Sequence, residues 1–113
     1  MIQIYHNSRC SKSRACLAFI EATGQEYEVV KYLETNPSFE VLQSIIKKLG
    51  ISPIALVRQK ENIWVENYKN KDLSDDEIIQ VISANPILIE RPIVIKGDQA
   101  VIARTLEKVQ AII

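Results

Sequence analysis

One short segment of the chain carries most of the side chains that could do covalent chemistry. The segment 6–14, HNSRCSKSR, holds one cysteine, three cationic side chains and the only histidine of the chain. Nearby positive charge favours the thiolate, which is the reactive form of cysteine. The same charge binds oxyanions, so nucleophile and anion site would coincide at Cys10. The pattern predicts a reactive thiol that acts on an anion; the alternative is a buried, inert cysteine.

The spacing around Cys10 argues against several common cysteine chemistries. Ser13 stands where a second cysteine would complete a C-x-x-C motif, which disfavours a dithiol oxidoreductase. Arg14 follows Cys10 after only three residues, too few for a phosphatase loop. Two cysteines and one histidine are too few for a usual structural zinc site, so we predict no metal.

Cys16 and His6 each leave two roles open. Cys16 either resolves an oxidised Cys10 or packs in the core. Helix geometry favours the core, because six residues rise about 9 Å while a disulfide needs α-carbons within roughly 7 Å. Any reductant would then come from outside the chain. His6 either orients Cys10 and exchanges protons, adding to the positive field when charged, or is a strand-end histidine bonded to backbone. Asn7 is predicted to shape the turn.

Composition sets wider limits on the class of protein. The 113 residues, 47% hydrophobic and 25% charged, predict a single soluble domain covering residues 1–113. No apolar run approaches the roughly 18 residues of a membrane span, and the first residues do not resemble a signal peptide. Free thiols in the cytoplasm are therefore expected. The net charge of zero gives no reason to expect a nucleic-acid or membrane partner.

Hydrophobic periodicity predicts the element order β-α-β-α-α-α-β-β-α. The predicted strands are 2–5, 26–33, 93–96 and 100–103; the predicted helices are 11–24, 38–49, 51–59, 74–85 and 105–113, with 59–73 irregular. Strand–helix–strand at the start implies a parallel crossover, and the later hairpin adds antiparallel strands. The prediction is an α/β fold with a mixed sheet and helices on both faces, a class that includes the thioredoxin-like fold.

Four segments together resemble one known family. They are YHNSRCSKSR, YLETNPS, LVRQK and NPILIERPIVIKGDQAVIAR, and they are similar to the glutathione/glutaredoxin-coupled arsenate reductases of the ArsC type. The resemblance implies a thioredoxin-like fold and a catalytic Cys10. The other site residues that it implies are His6, Ser13 and Arg14 around the thiol, Asn7, Arg58, Arg91 and Arg104 for the oxyanion, and Pro92 as the cis-proline facing the cysteine.

The resemblance also implies a reaction and its partners. Cys10 would attack arsenate, glutathione would reduce the adduct as a co-substrate, and glutaredoxin would regenerate the thiol, with no bound cofactor. Two alternatives remain open within the family. One is a thiol reductase with a different or glutathionylated substrate, and the other is a Spx-like regulator that binds RNA polymerase. The serine at position 13 argues against the second, because redox-switched Spx regulators carry C-x-x-C.

Overall fold

The four strands form one mixed sheet in the computed structural model, which describes residues 1–113. The order across the sheet is β2-β1-β3-β4, with β1 and β2 parallel and the other neighbours antiparallel. The predicted mixed sheet is therefore confirmed. The strands are β1 (Ile2–Tyr5), β2 (Tyr27–Val30), β3 (Ile93–Lys96) and β4 (Gln99–Ile102).

Six α-helices and two 3₁₀ turns connect the strands. The helices are α1 (Ser11–Ala22), α2 (Tyr32–Thr35), α3 (Phe39–Leu49), α4 (Asn62–Asn67), α5 (Asp75–Ala84) and α6 (Leu106–Gln110), and the 3₁₀ turns are Pro53–Leu56 and Pro86–Leu88. Helix α5 begins next to Ser74, as predicted, with a capping box: Ser74 Oγ accepts from the Glu77 amide and the Glu77 carboxylate accepts from the Ser74 amide. No helix is long and apolar enough to cross a membrane.

Three predicted segments were wrong in detail. The helix predicted over 51–59 is only a 3₁₀ turn, Pro53–Leu56, after which the chain is extended at Val57. The strand predicted over 26–33 ends at Val30, because Tyr32 begins the short helix α2. The segment 59–73, predicted as irregular, contains α4. Trp64 anchors that helix, since its ring is buried and lies 5.6 Å from the ring centroid of Tyr68. A large aromatic side chain thus stabilises a helix that has no periodic apolar face to reveal it.

The chain divides into two compact units, and the first contains the whole sheet. This unit comprises 1–35 and 91–113, with α1, α2 and α6. Residues from β1, β3, α1 and α6, together with one residue that follows β4, form one buried cluster: Ile2, Ile4, Cys16, Ile20, Val94, Ala103 and Val109. Alternate residues of a strand share a face, so Ile2 and Ile4 place α1 and α6 on one face of the sheet.

The second unit comprises residues 36–90 and is mostly helical. Helix α3 packs on α5, and its amphipathic face buries Leu42, Ile45 and Ile46. Gly50 ends α3 in the left-handed conformation, at φ 68°, which glycine adopts without steric cost. The prediction of a single domain over 1–113 stays a prediction.

Candidate active site

Residues far apart in sequence meet at one end of the sheet. Tyr5, the last residue of β1, pairs with Val30 at the end of β2 and with Ile93 at the start of β3. Ile93 in turn pairs with Ile102 at the end of β4. The loop after β1, the residues after β2 and β4, and the residues before β3 therefore share this end of the first unit. Cys10 lies in the first of these segments.

Cys10 is the N-cap residue of α1. Its backbone is extended, with φ −94° and ψ 121°, and its amide donates to the Asn7 carbonyl at 3.0 Å. The Asn7 side chain closes a turn, because its Oδ1 accepts from the Arg9 amide at 3.0 Å. This turn shapes the loop, as predicted. The first turn of α1 contains no acidic residue, so the positive end of the helix dipole is left for the cysteine.

The surroundings of Cys10 lower its pKa. Partial burial acts to raise the pKa of the thiol, but the opposing effects are larger together. The Arg91 guanidinium acts both as a donor and as a positive charge, and the Ser13 and Lys12 amides face the sulfur. The cap amides do not reach full hydrogen-bond geometry in this resting arrangement. The net effect is a lower pKa of Cys10. A lower pKa favours the thiolate, the form that attacks electrophiles.

A buried hydroxyl holds the loop and the helix together. Ser13 is fully buried, and its Oγ lies 2.6 Å from His6 Nδ1 while it accepts from the Asn7 amide at 3.0 Å. Burial lowers the pKa of His6, and the positive charges of Arg14 and Lys31 lower it further. The imidazole is therefore neutral at neutral pH, which disfavours the charged alternative. Its predicted catalytic role stays a prediction.

Two predicted arginines lie directly against the loop. Arg14 Nη1 donates to the Ser8 carbonyl at 2.9 Å. Because Arg14 belongs to α1, this hydrogen bond links the helix to the loop. Arg91 precedes Pro92 at the start of β3, and its side chain acts on the Cys10 sulfur. The Arg91–Pro92 peptide bond is cis, as the resemblance implied.

The other two predicted arginines lie elsewhere in the chain. Arg104 is exposed and follows β4 after one intervening residue, Ala103, at the same end of the sheet as Cys10. Arg58 belongs to the second unit, where its Nη1 pairs with Glu61 Oε1 at 2.8 Å. Their roles in oxyanion binding stay predictions.

Cys16 is a core residue. Its side chain is fully buried in the cluster under the sheet, and burial raises the pKa of its thiol to about 11. This favours the packing role over the resolving role. No group of three or more His, Cys, Asp or Glu side chains is arranged to hold a metal ion. The chemistry that the site offers is therefore that of the Cys10 thiolate.

Iodoacetamide is expected to modify Cys10 and leave Cys16 intact in the folded protein. The rate should rise with pH around a midpoint below ~8.5, the pKa of an ordinary cysteine, because the thiolate at position 10 is favoured. Mass spectrometry of peptides after timed quenching measures both sites. The Cys10→Ser variant should react only after unfolding. Equal labelling of both cysteines in the folded protein would contradict the assignment.

Sequence reasoning missed Tyr32, which is fully buried beside the site. Its hydroxyl has no hydrogen-bond partner, and the Nε of Arg91 is likewise buried without one. Burial raises the pKa of Tyr32, and nearby Arg91 and Asn7 oppose that rise without completing a hydrogen bond. Alternating polarity had placed this tyrosine in a strand. The segment YLETNPS, which contains Tyr32, supports the family resemblance but does not mark this tyrosine as a residue of the site.

Replacing Tyr32 with phenylalanine should stabilise the protein. A buried hydroxyl without a partner costs ~1–3 kcal/mol in desolvation, so we expect the free energy of unfolding to rise by about 1 kcal/mol. Urea denaturation measures the change. Tyr27→Phe is the matched control, because Tyr27 is 38% exposed and should change stability by less than about 0.5 kcal/mol. A marked loss of stability in Tyr32→Phe would mean that the hydroxyl is bonded.

Comparison with known proteins shows the family and the fold of the chain. The family model described as "ArsC family" matches residues 5–112. The arsenate reductase of Haemophilus influenzae is 46% identical, covering 97% of both chains, and that of Neisseria meningitidis serogroup A is 41% identical, covering 99% of this chain and 97% of its own. The solved arsenate reductase from Vibrio cholerae superposes with a TM-score of 0.93 at 43% identity, covering 99% of this chain and 97% of that one. The predicted thioredoxin-like fold is confirmed, and the chain belongs to the ArsC family.

Proposed function

We propose that this protein reduces arsenate to arsenite, with Cys10 as nucleophile and with glutathione and glutaredoxin as reductants. The observation that carries the proposal is the position of Cys10 at the N-cap of α1 beside the Arg91 guanidinium, two features that favour the thiolate. Arsenate is a tetrahedral anion at neutral pH, and a guanidinium fork donates two parallel hydrogen bonds to such a group. The names of the relatives, which are arsenate reductases, support the same substrate.

The first chemical step forms a bond between sulfur and arsenic. The Cys10 thiolate attacks arsenic(V), and one oxygen leaves as water after it has taken up protons. Arg91 and the first amides of α1 stabilise the negative charge that builds up on the remaining oxygens. Neutral His6, bonded to Ser13, lies at the loop where a proton would be exchanged. No oxidation state changes until a second thiol arrives.

The second step needs a thiol from outside the chain, because Cys16 is buried in the core. Glutathione thiolate attacks the Cys10 sulfur, and the sulfur–arsenic bond breaks with its electron pair remaining on arsenic. Arsenic is thereby reduced from the pentavalent to the trivalent state, and Cys10 and glutathione form a mixed disulfide. A glutaredoxin thiolate then takes the glutathionyl group and releases the Cys10 thiolate.

An assay with arsenate, glutathione, glutaredoxin and an NADPH-recycling system tests this cycle. We expect arsenate-dependent consumption of NADPH by the native chain, none above background by Cys10→Ser, and near-native rates for Cys16→Ala if it remains folded. Mass spectrometry should find one glutathionyl group on Cys10 that requires arsenate. A glutathionyl group that forms equally well without arsenate would favour a thiol reductase with another substrate. Absence of any turnover, together with recovery of RNA polymerase from extract, would favour the regulator.

A further inference from the structure

A groove of the first unit lies beside the Cys10 loop and is not used by the chemistry above. Residues 6–9 of the loop form one wall, and residues that follow β2 form the other. Its volume is about 560 Å³, within the ~300–1,000 Å³ typical of sites for small ligands. The lining of the groove ends at Arg9, which directly precedes the nucleophile, so a ligand would have to extend beyond Arg9 to reach Cys10.

The groove carries two cations, one anion and an apolar floor. Arg9 and Lys31 supply the positive charges and Glu34 the negative one, while the floor is made by Leu17, Val29 and Leu33. All three charged side chains are exposed, and none is held in an ion pair or a side-chain hydrogen bond of this chain. Leu33 is 39% exposed, although it is a large apolar residue. Unused charges around exposed apolar surface are typical of a binding site.

We propose that this groove binds the peptide part of glutathione and directs its thiol to Cys10. Glutathione has a carboxylate at each end, one ammonium group and short methylene segments between them. The carboxylates would pair with Arg9 and Lys31, the ammonium with Glu34, and the methylenes would cover the leucines and the valine. As an extended tripeptide it is about 10 Å long, so its central thiol reaches the loop. The inference rests on the proposed function for the use of glutathione in the cycle.

Thiol–disulfide exchange tests the groove without arsenate. The Cys10 thiolate attacks one sulfur of glutathione disulfide, forms a mixed disulfide with one glutathionyl group and releases the other as a thiolate. The same reaction with 2-hydroxyethyl disulfide, which has no charges, measures the intrinsic reactivity of the thiol. The ratio of the two rate constants therefore isolates recognition of glutathione from any change in the pKa of Cys10.

Charge reversal in the groove should lower this ratio. Exposed ion pairs contribute about 0.2–1 kcal/mol, and charge reversal replaces this attraction by repulsion. We therefore expect the ratio of rate constants to fall about five- to tenfold in both Arg9→Glu and Lys31→Glu. Lys108→Glu is the matched control, because its exposed side chain belongs to α6 of the same unit and lies outside the groove. Its ratio should stay within about twofold of native. An equal loss in all three variants, or none in the groove variants, would overturn the proposal.

A binding experiment separates the groove from the enzyme cycle. S-methylglutathione cannot react, and its titration into the isotope-labelled chain should shift the methyl resonances of Leu17, Val29 and Leu33. Shifts confined to other regions, or none at millimolar ligand, would overturn the groove. If the groove binds S-methylglutathione but arsenate is never reduced, the proposed function fails alone. If arsenate is reduced but the groove variants keep the native ratio of rate constants, this inference fails alone. If the ratio is native and turnover still requires glutaredoxin, the occupant of the groove would be an acidic protein segment and not glutathione.

Discussion

Replacing Arg91 with alanine is expected to raise the pKa of Cys10 and to lower arsenate-dependent turnover by about a hundredfold. The guanidinium is the side chain that offsets the effect of burial on the thiol, and loss of one preorganised donor to a developing oxyanion costs on the order of 10²–10³ in rate. Ultraviolet absorbance of the thiolate against pH measures the first effect, and the NADPH-coupled assay measures the second.

Arg91→Lys serves as the control for charge in this experiment. Lysine keeps the positive charge but loses the planar pair of donors, so the pKa of Cys10 should rise less than in Arg91→Ala, while turnover still falls. Arg91→Lys also removes the buried Nε that has no hydrogen-bond partner. The free energy of unfolding of this variant should therefore not decrease. A native pKa in both variants would show that Arg91 does not control the thiol.

Replacing Ser13 with alanine is expected to destabilise the protein by about 2–4 kcal/mol. The hydroxyl is the shared partner of the Asn7 amide and of His6 Nδ1, and its loss leaves both buried groups without a bond, at ~1–3 kcal/mol each. Urea denaturation at neutral pH measures the loss. Ser11→Ala, an exposed serine of the same helix with no side-chain bond, should change stability by less than about 0.5 kcal/mol. Similar values for the two variants would refute the bridging role.

The local signals of the sequence predicted most of the elements. The capping box at Ser74 depends only on neighbours in the chain, and so does the end of α3 at Gly50, which is why both were found. The limit of β2 was missed because alternation continues past Val30, although pairing with β1 stops there. Helix α4 was missed because one buried tryptophan, and not a periodic face, stabilises it.

The candidate site was predicted only in part, for a related reason. Cys10, Ser13 and Arg14 lie close together in the sequence where the loop meets α1, so their charge and spacing could be read directly. The contact of Arg91 with Cys10 depends on the pairing of β1 with β3, for which the resemblance was the only guide. The burial of Tyr32 and the formation of the groove depend on where β2 ends and on how the side chains after it are oriented. No short sequence pattern encodes either feature. Arg58 and Arg104 remain assignments by resemblance.

The buried position of Ser13 has a consequence for how this lineage could change its chemistry. A cysteine at position 13 would create the C-x-x-C pair with which many thioredoxin-like proteins form an intramolecular disulfide. A thiol is a weaker hydrogen-bond partner than the hydroxyl that joins His6 and the Asn7 amide. Replacing Ser13 with cysteine would therefore destabilise the loop that a disulfide would need. A functional C-x-x-C pair at this site would therefore first require compensating changes at positions 6 and 7.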